Sequence, residues 1–289
     1  MTQLTLKWIL VLAALFALGP IAASLVAPLR LTDGSHAASL FTDGSFTRGL
    51  IAGLGVLGLA LAIGVISGRL VVRDMGLTCA GLVVAWAAWR FSTVDRAIAR
   101  SGDSGMFTML AIEGLVVALA GLAIAAVIAL TAKDRTRGLG LVATLGHDAP
   151  LGETVSRAPL FIATLIGIIA GGIAVWLIAA EALKGQCVLA AVSGGIAAGA
   201  AAQLYASTQR LRLGVLIPMA SFAVLAAAAP LVTQNIHGAK AVADAMGGNL
   251  FPLGKLGPLD WLAGALLGTP IGIAWANSML EKEHAPAHA

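Results

Sequence analysis

The sequence predicts an all-α, polytopic helical membrane protein with seven or eight transmembrane helices, on three observations. Of 289 residues, 59% are hydrophobic and 11% charged, where a soluble domain carries about 25% charged residues. Mean hydropathy is +0.94, and the apolar residues gather into runs long enough to cross a core of about 30 Å, which takes roughly 20 helical residues. The charges lie in the stretches between those runs. High apolar content with little charge also excludes a disordered chain.

The runs cover residues 8–29, 49–68, 75–91, 106–131, 158–180, 186–206, 213–235 and 259–280. The first follows Lys7 and passes through small residues, Gly19 to Ser24, which resemble a signal-peptide cleavage region. Its apolar stretch continues to Leu29, longer than a signal core, so a true span is expected. The second holds Gly53, Gly55 and Gly58 in a GxGxxG pattern, but no strand precedes it, so the dinucleotide-binding reading fails on context. The third is the shortest run. The fourth carries Glu113, the only ionisable residue deep inside an apolar stretch. The eighth is the most polar, with Thr269, Pro270 and Asn277, and a seven-span arrangement without it is the main rival. Residues 1–280 read as one helical domain and 281–289 as a short polar C-terminal tail.

Glycines four apart put a small face on several of these helices, as close helix packing requires: Gly64 with Gly68, Gly167 with Gly171, Gly195 with Gly199, and Gly264, Gly268 and Gly272. The cadence of spans and loops divides the chain into two halves of four. In each half a short basic connection, Arg69 to Asp74 or Ser207 to Arg212, joins the second span to the third. Halves with an even number of spans have the same orientation and are related by an axis along the membrane normal.

Lys and Arg number ten on the side of the N-terminus and eight on the other. The cluster from Lys133 to Arg137 and the pair Arg210 and Arg212 place the N-terminus in the cytoplasm of a bacterial-type inner membrane, by the positive-inside rule. The net charge of +4 gathers on no soluble module, which argues against nucleic acid. The partners expected are the lipid bilayer and either further copies of the chain or other membrane subunits. Cys79 and Cys187 fall at or inside apolar runs and read as packing residues.

Cofactor and metal chemistry find no purchase. His36, His147, His237, His284 and His288 all fall in loops or the tail, which leaves intramembrane haem without axial ligands. His147, Asp148 and Glu153 share a loop with nothing to fix their geometry. Thr32-Asp33-Gly34-Ser35 is echoed by Thr42-Asp43-Gly44-Ser45, and both read as turns or helix caps rather than ion sites. No GxSxG or other nucleophile motif occurs. No cofactor and no metal are expected, and an intramembrane enzyme ranks third among the functions considered.

A carboxyl in hydrocarbon is costly and usually faces a partner or a hydrated cavity. Glu113 lies seven residues into its helix, about 10 Å at 1.5 Å per residue. Counted from the same face, Ser193 and Thr269 come to nearly the same level. Gly194, Gly195 and Pro270 beside them weaken their helices, and freed backbone groups at that depth need protein or water. The leading expectation is a small permease or ion-translocating subunit, with Glu113, Ser193 and Thr269 as polar lining and Gly194, Gly195 and Pro270 as helix-break positions. In the rival reading Glu113 pairs with Arg90 or Arg100, or marks a contact surface in a non-catalytic subunit of a larger membrane complex.

Overall fold

The computed structural model describes residues 3–31, 33–42, 45–133, 143–145, 157–181 and 183–283. Asp43, His147, Asp148, Glu153, His284 and His288 lie outside the described residues. Among the described residues eight helices are long and apolar enough to cross a membrane, the eighth run among them. These are α1 (Gln3–Val26), α2 (Phe46–Leu70), α3 (Arg73–Arg90), then, after the short α4 (Val94–Ser101), α5 (Met106–Thr131), α6 (Arg157–Ile178), α7 (Lys184–Thr208) and α8 (Leu216–His237). The short α9 (Ala241–Met246) precedes the last span, α10 (Pro258–Glu283).

Local chemistry explains the irregularities. Pro20 has no N–H to give the carbonyl four residues back, and the turn before it widens into a π-helix over Ala14–Leu18, with the Gly19 N–H reaching Ala14 O. Asp33 Oδ1 accepts from Ser35 N at 2.9 Å and Ser35 Oγ at 2.6 Å, the side-chain turn expected there. A feature that hydropathy does not foretell is a short antiparallel ribbon, β1 (Ala143–Leu145) paired with β2 (Leu211–Leu213). The buried Gln203 supports it, because its Oε1 accepts Leu213 N at 2.9 Å.

Helix contacts repeat between the halves. Helix α1 packs on α2 and α3 as α6 packs on α7 and α8, and α2 packs on α5 as α7 packs on α10. Across the halves, α5 packs on α8 as α10 packs on α3. Two pairings map onto themselves, α5 with α10 and the short α4 with α9. That is the contact pattern of two four-helix units whose helices exchange in pairs.

Glycine sets how near the helices come. At Gly195 and Gly199 the backbone of α10 leaves no room for a Cβ, and at Gly264, Gly268 and Gly272 the backbone of α7 does the same. Gly76 of α3 meets Gly64 O of α2 in the same way. The expected small faces are therefore used inside the chain. The lipid-facing surface is large and apolar, including Phe161, Ile169, Ile173 and Trp176 on α6. On the face opposite the N-terminus, Leu31, Val94, Ile98, Phe107, Ala241 and Leu250 form a second apolar cluster, which roofs the bundle with α4 and α9.

Candidate functional site

Glu113 is fully buried, and its partner is the loop between α1 and α2. Its Oε2 accepts from Ser39 Oγ at 2.6 Å and from Phe41 N at 2.8 Å, and its Oε1 accepts from Leu40 N at 2.9 Å. The loop is shaped for this: Thr42 Oγ1 takes the N–H groups of Ala38 at 3.1 Å and Ser39 at 2.9 Å. Gly49 of α2 lies directly against Leu40 O, so any side chain there would push the loop away. The expected pairing with Arg90 or Arg100 is not made among the described residues, and both arginines are exposed. The physical reason is reach: a dipping loop brings three donors to the carboxylate inside the bundle, while the arginines stay at the solvated helix ends.

The other expected lining residues are not gathered around Glu113. Thr269 is buried and its hydroxyl donates to Ala265 O at 2.6 Å within its own helix, while its backbone packs on Gly199. Ser193 is half-buried on α7. Helix α10 packs on both α5 and α7. Helix α7 runs unbroken through Gly194 and Gly195, and α10 runs unbroken through Pro270. In place of the local unwinding expected there, Gly194 packs on α6 at Gly171 and Val175, and Gly195 packs on α10.

Four charged residues that the sequence places at helix ends converge on the face opposite the N-terminus. Lys184 Nζ, at the start of α7, donates to Asp260 Oδ2 at 2.7 Å. Asp260 is the third residue of α10, behind Pro258, and its Oδ2 also accepts Gly257 N at 2.8 Å, as an acid in the first turn of a helix does. The buried Lys255 donates to Ala180 O at 2.6 Å and to Gly248 O at 3.2 Å. Cys187 Sγ donates to Lys255 O at 3.7 Å, and α4, which carries the buried Asp95, packs on the turn Pro252–Lys255. Ser92 N donates to Ala37 O at 2.9 Å, and Ala38 O approaches Gly257, which closes the seam against the loop that Glu113 holds.

Several atoms of this seam have no hydrogen-bond partner among the described residues: Thr93 Oγ1, Asp95 Oδ1, Asp260 Oδ1 and Trp261 Nε1. Trp261 is 1% exposed and lines a narrow cavity between α5, α8 and α10, with Ala118, Phe222, Ala226 and Pro258. Pro230 in α8 cannot donate to Ala226 O, and Gly114 of α5 lets that carbonyl come close. Only Asp260 had a legible signal, its place three residues after Gly257 and two after a proline. Asp95, Lys184 and Lys255 read in sequence as ordinary loop charges.

Outside the spans, His36 is held below the usual histidine range, first by burial and then by the charges of Arg30 and Arg90. Arg30 Nη1 donates to its Nδ1. Among the described residues no group of three or more His, Cys, Asp or Glu is placed to hold a metal ion. No family model, curated protein or solved structure matches the chain.

Proposed function

We propose that the protein is a small permease or ion-translocating unit of a membrane, with its charged entry at the seam of Asp95, Lys184, Lys255 and Asp260. One observation carries this reading. Asp95, Lys255 and Asp260 are charges buried within the helical bundle, and Trp261, next to Asp260, lines a narrow cavity between its helices. Buried charge among transmembrane helices is costly and characteristically marks ion and substrate paths. In this reading Glu113 is not the carrier group. It anchors the loop that closes the seam.

The test is reconstitution into proteoliposomes with dyes for H⁺, Na⁺ and K⁺ and a panel of small labelled solutes. Wild type carries one of them, and Asp260→Asn loses at least most of that flux while keeping its elution profile. A wild-type protein that carries none of them, and that leaves mild detergent with a stoichiometric partner, overturns the proposal.

That outcome would favour an accessory subunit of a membrane complex. The observation on its side is an apolar groove of about 380 Å³ between α6 and α8, lined by Ile169, Gly172, Trp176, Phe251 and Leu253.

A further inference from the structure

We propose that His237 is a proton-sensitive latch: its neutral ring, steadied by Asp244, fastens the turn before α10 through Phe251 N, and its protonated ring lets that turn go. The proposal stands apart from the translocation reading and does not rest on it.

Helix α8 ends at His237, where Gly238 takes a positive φ of 49° and its N–H returns to Gln234 O. The chain doubles back as α9, and Gly248, at φ 72°, turns it toward Pro252–Lys255. This brings three groups together. His237 Nδ1 lies 2.8 Å from Asp244 Oδ2, and Phe251 N donates to His237 Nε2 at 2.9 Å. A backbone N–H can only donate, so Nε2 is the acceptor of the ring and Nδ1 carries the proton that goes to the carboxylate. Only a neutral imidazole can do this, because the imidazolium has N–H groups on both nitrogens. Protonation keeps the pair with Asp244 but sets one N–H against another at Phe251, and a half-buried donor without an acceptor is costly. Imidazole ordinarily changes charge between pH 5 and 8, and the His237 side chain is 12% exposed.

The fastened stretch has a place in the fold. Phe251 and Leu253 wall the apolar groove between α6 and α8, where Leu253 approaches Gly172. Asn249 N donates to Asp244 O at 2.8 Å on one side of Phe251, and Lys255 Nζ donates to Ala180 O at 2.6 Å on the other. Release is therefore confined to the residues between them, and it loosens one wall of the groove. The charged groups around the latch are accounted for element by element. Lys240 and Asp244 belong to its own segment. Lys255 is held by Ala180 O and Gly248 O, Asp260 on α10 by Lys184 on α7, and Glu113 on α5 by the loop before α2. Asp95, Arg96 and Arg100 lie on α4, which packs on α9, and Arg157 lies at the far end of α6.

Amide hydrogen exchange of the full chain in nanodiscs, read at single residues and divided by the intrinsic rate at each pH, tests the latch. Protection of Phe251 N is expected to fall roughly five- to tenfold from pH 8 to pH 5, the worth of one ordinary hydrogen bond. Leu213 N, bonded to Gln203 on the opposite face, is expected to keep its protection. His237→Gln offers an acceptor that does not titrate, so Phe251 stays protected at both pH values; His237→Ala leaves it unprotected at both. Equal protection of wild type at the two pH values, the same fall in His237→Gln, or a parallel fall at Leu213 overturns the proposal. The ¹⁵N shifts of the wild-type ring at pH 8 give a second test that needs no variant: a proton on Nδ1 is expected, and a proton on Nε2 overturns the latch.

Discussion

Glu113 and Asp260 hold equivalent places in the two halves of the molecule. Each lies on the fourth long helix of its half, and each ties down the chain as it enters the second. Glu113 holds Ser39, Leu40 and Phe41 ahead of α2, and Asp260 holds Lys184 at the start of α7. They differ in depth, the eighth residue of α5 against the third of α10. The deeper acid is met by a loop that dips into the bundle, and the shallower one by a long lysine side chain.

The Glu113 clamp sets the first expected outcome. Glu113→Ala leaves three buried donors without an acceptor, which costs about 3–5 kcal/mol. Glu113→Gln keeps the shape but turns one acceptor into a donor, and costs about 1–3 kcal/mol. Melting in detergent should rank wild type above Gln above Ala. Equal melting of wild type and Ala would remove the clamp from the account.

Across the seam, a double-mutant cycle of Lys184→Met and Asp260→Asn measures the pair. Removing one partner of a buried ion pair costs about 3–5 kcal/mol, and removing both costs less than the sum. Strict additivity of the two losses would show that the 2.7 Å contact carries no coupling.

Packing of α7 on α10 yields a paired comparison between glycines. Gly268→Ala places a methyl group into Val192 O and the Gly195 backbone, and overpacking of this kind costs about 1–3 kcal/mol. Gly58→Ala meets nothing within 4 Å and gains up to about 1 kcal/mol of helix propensity. The Tm shifts of the two variants should have opposite signs.

His36 gives the protein a pH dependence of known sign. Its folded pKa lies below the ordinary histidine value of 6.5, because burial and the nearby charges of Arg30 and Arg90 disfavour the imidazolium. Between the two values the unfolded chain binds more protons than the folded one, so stability rises with pH. The contribution is complete above pH 6.5 and is lost as pH falls from there through the folded pKa. Comparing the Tm of wild type and His36→Gln from pH 7.5 to 5 checks it: the variant should lack this part of the decline.

Sequence alone determined the membrane class and the positions of the apolar helices, because lipid imposes a simple rule of about 20 apolar residues per crossing. It also marked the glycine faces, since helical periodicity converts four-residue spacing into a surface. It singled out Glu113 as costly, which it is, but not what satisfies it. The three donors come from residues 72 to 74 positions away, and two of them are backbone N–H groups that every loop possesses. The tertiary structure decided that the Glu113 carboxylate meets the loop between α1 and α2 rather than Ser193 or Thr269, and that Gly194, Gly195 and Pro270 sit in continuous helices. It also assembled Asp95, Lys184, Lys255 and Asp260, which are spread over 166 residues of chain. Charges near helix ends look alike in sequence whether they face water or one another, and the packing of helices from both halves decides between the two.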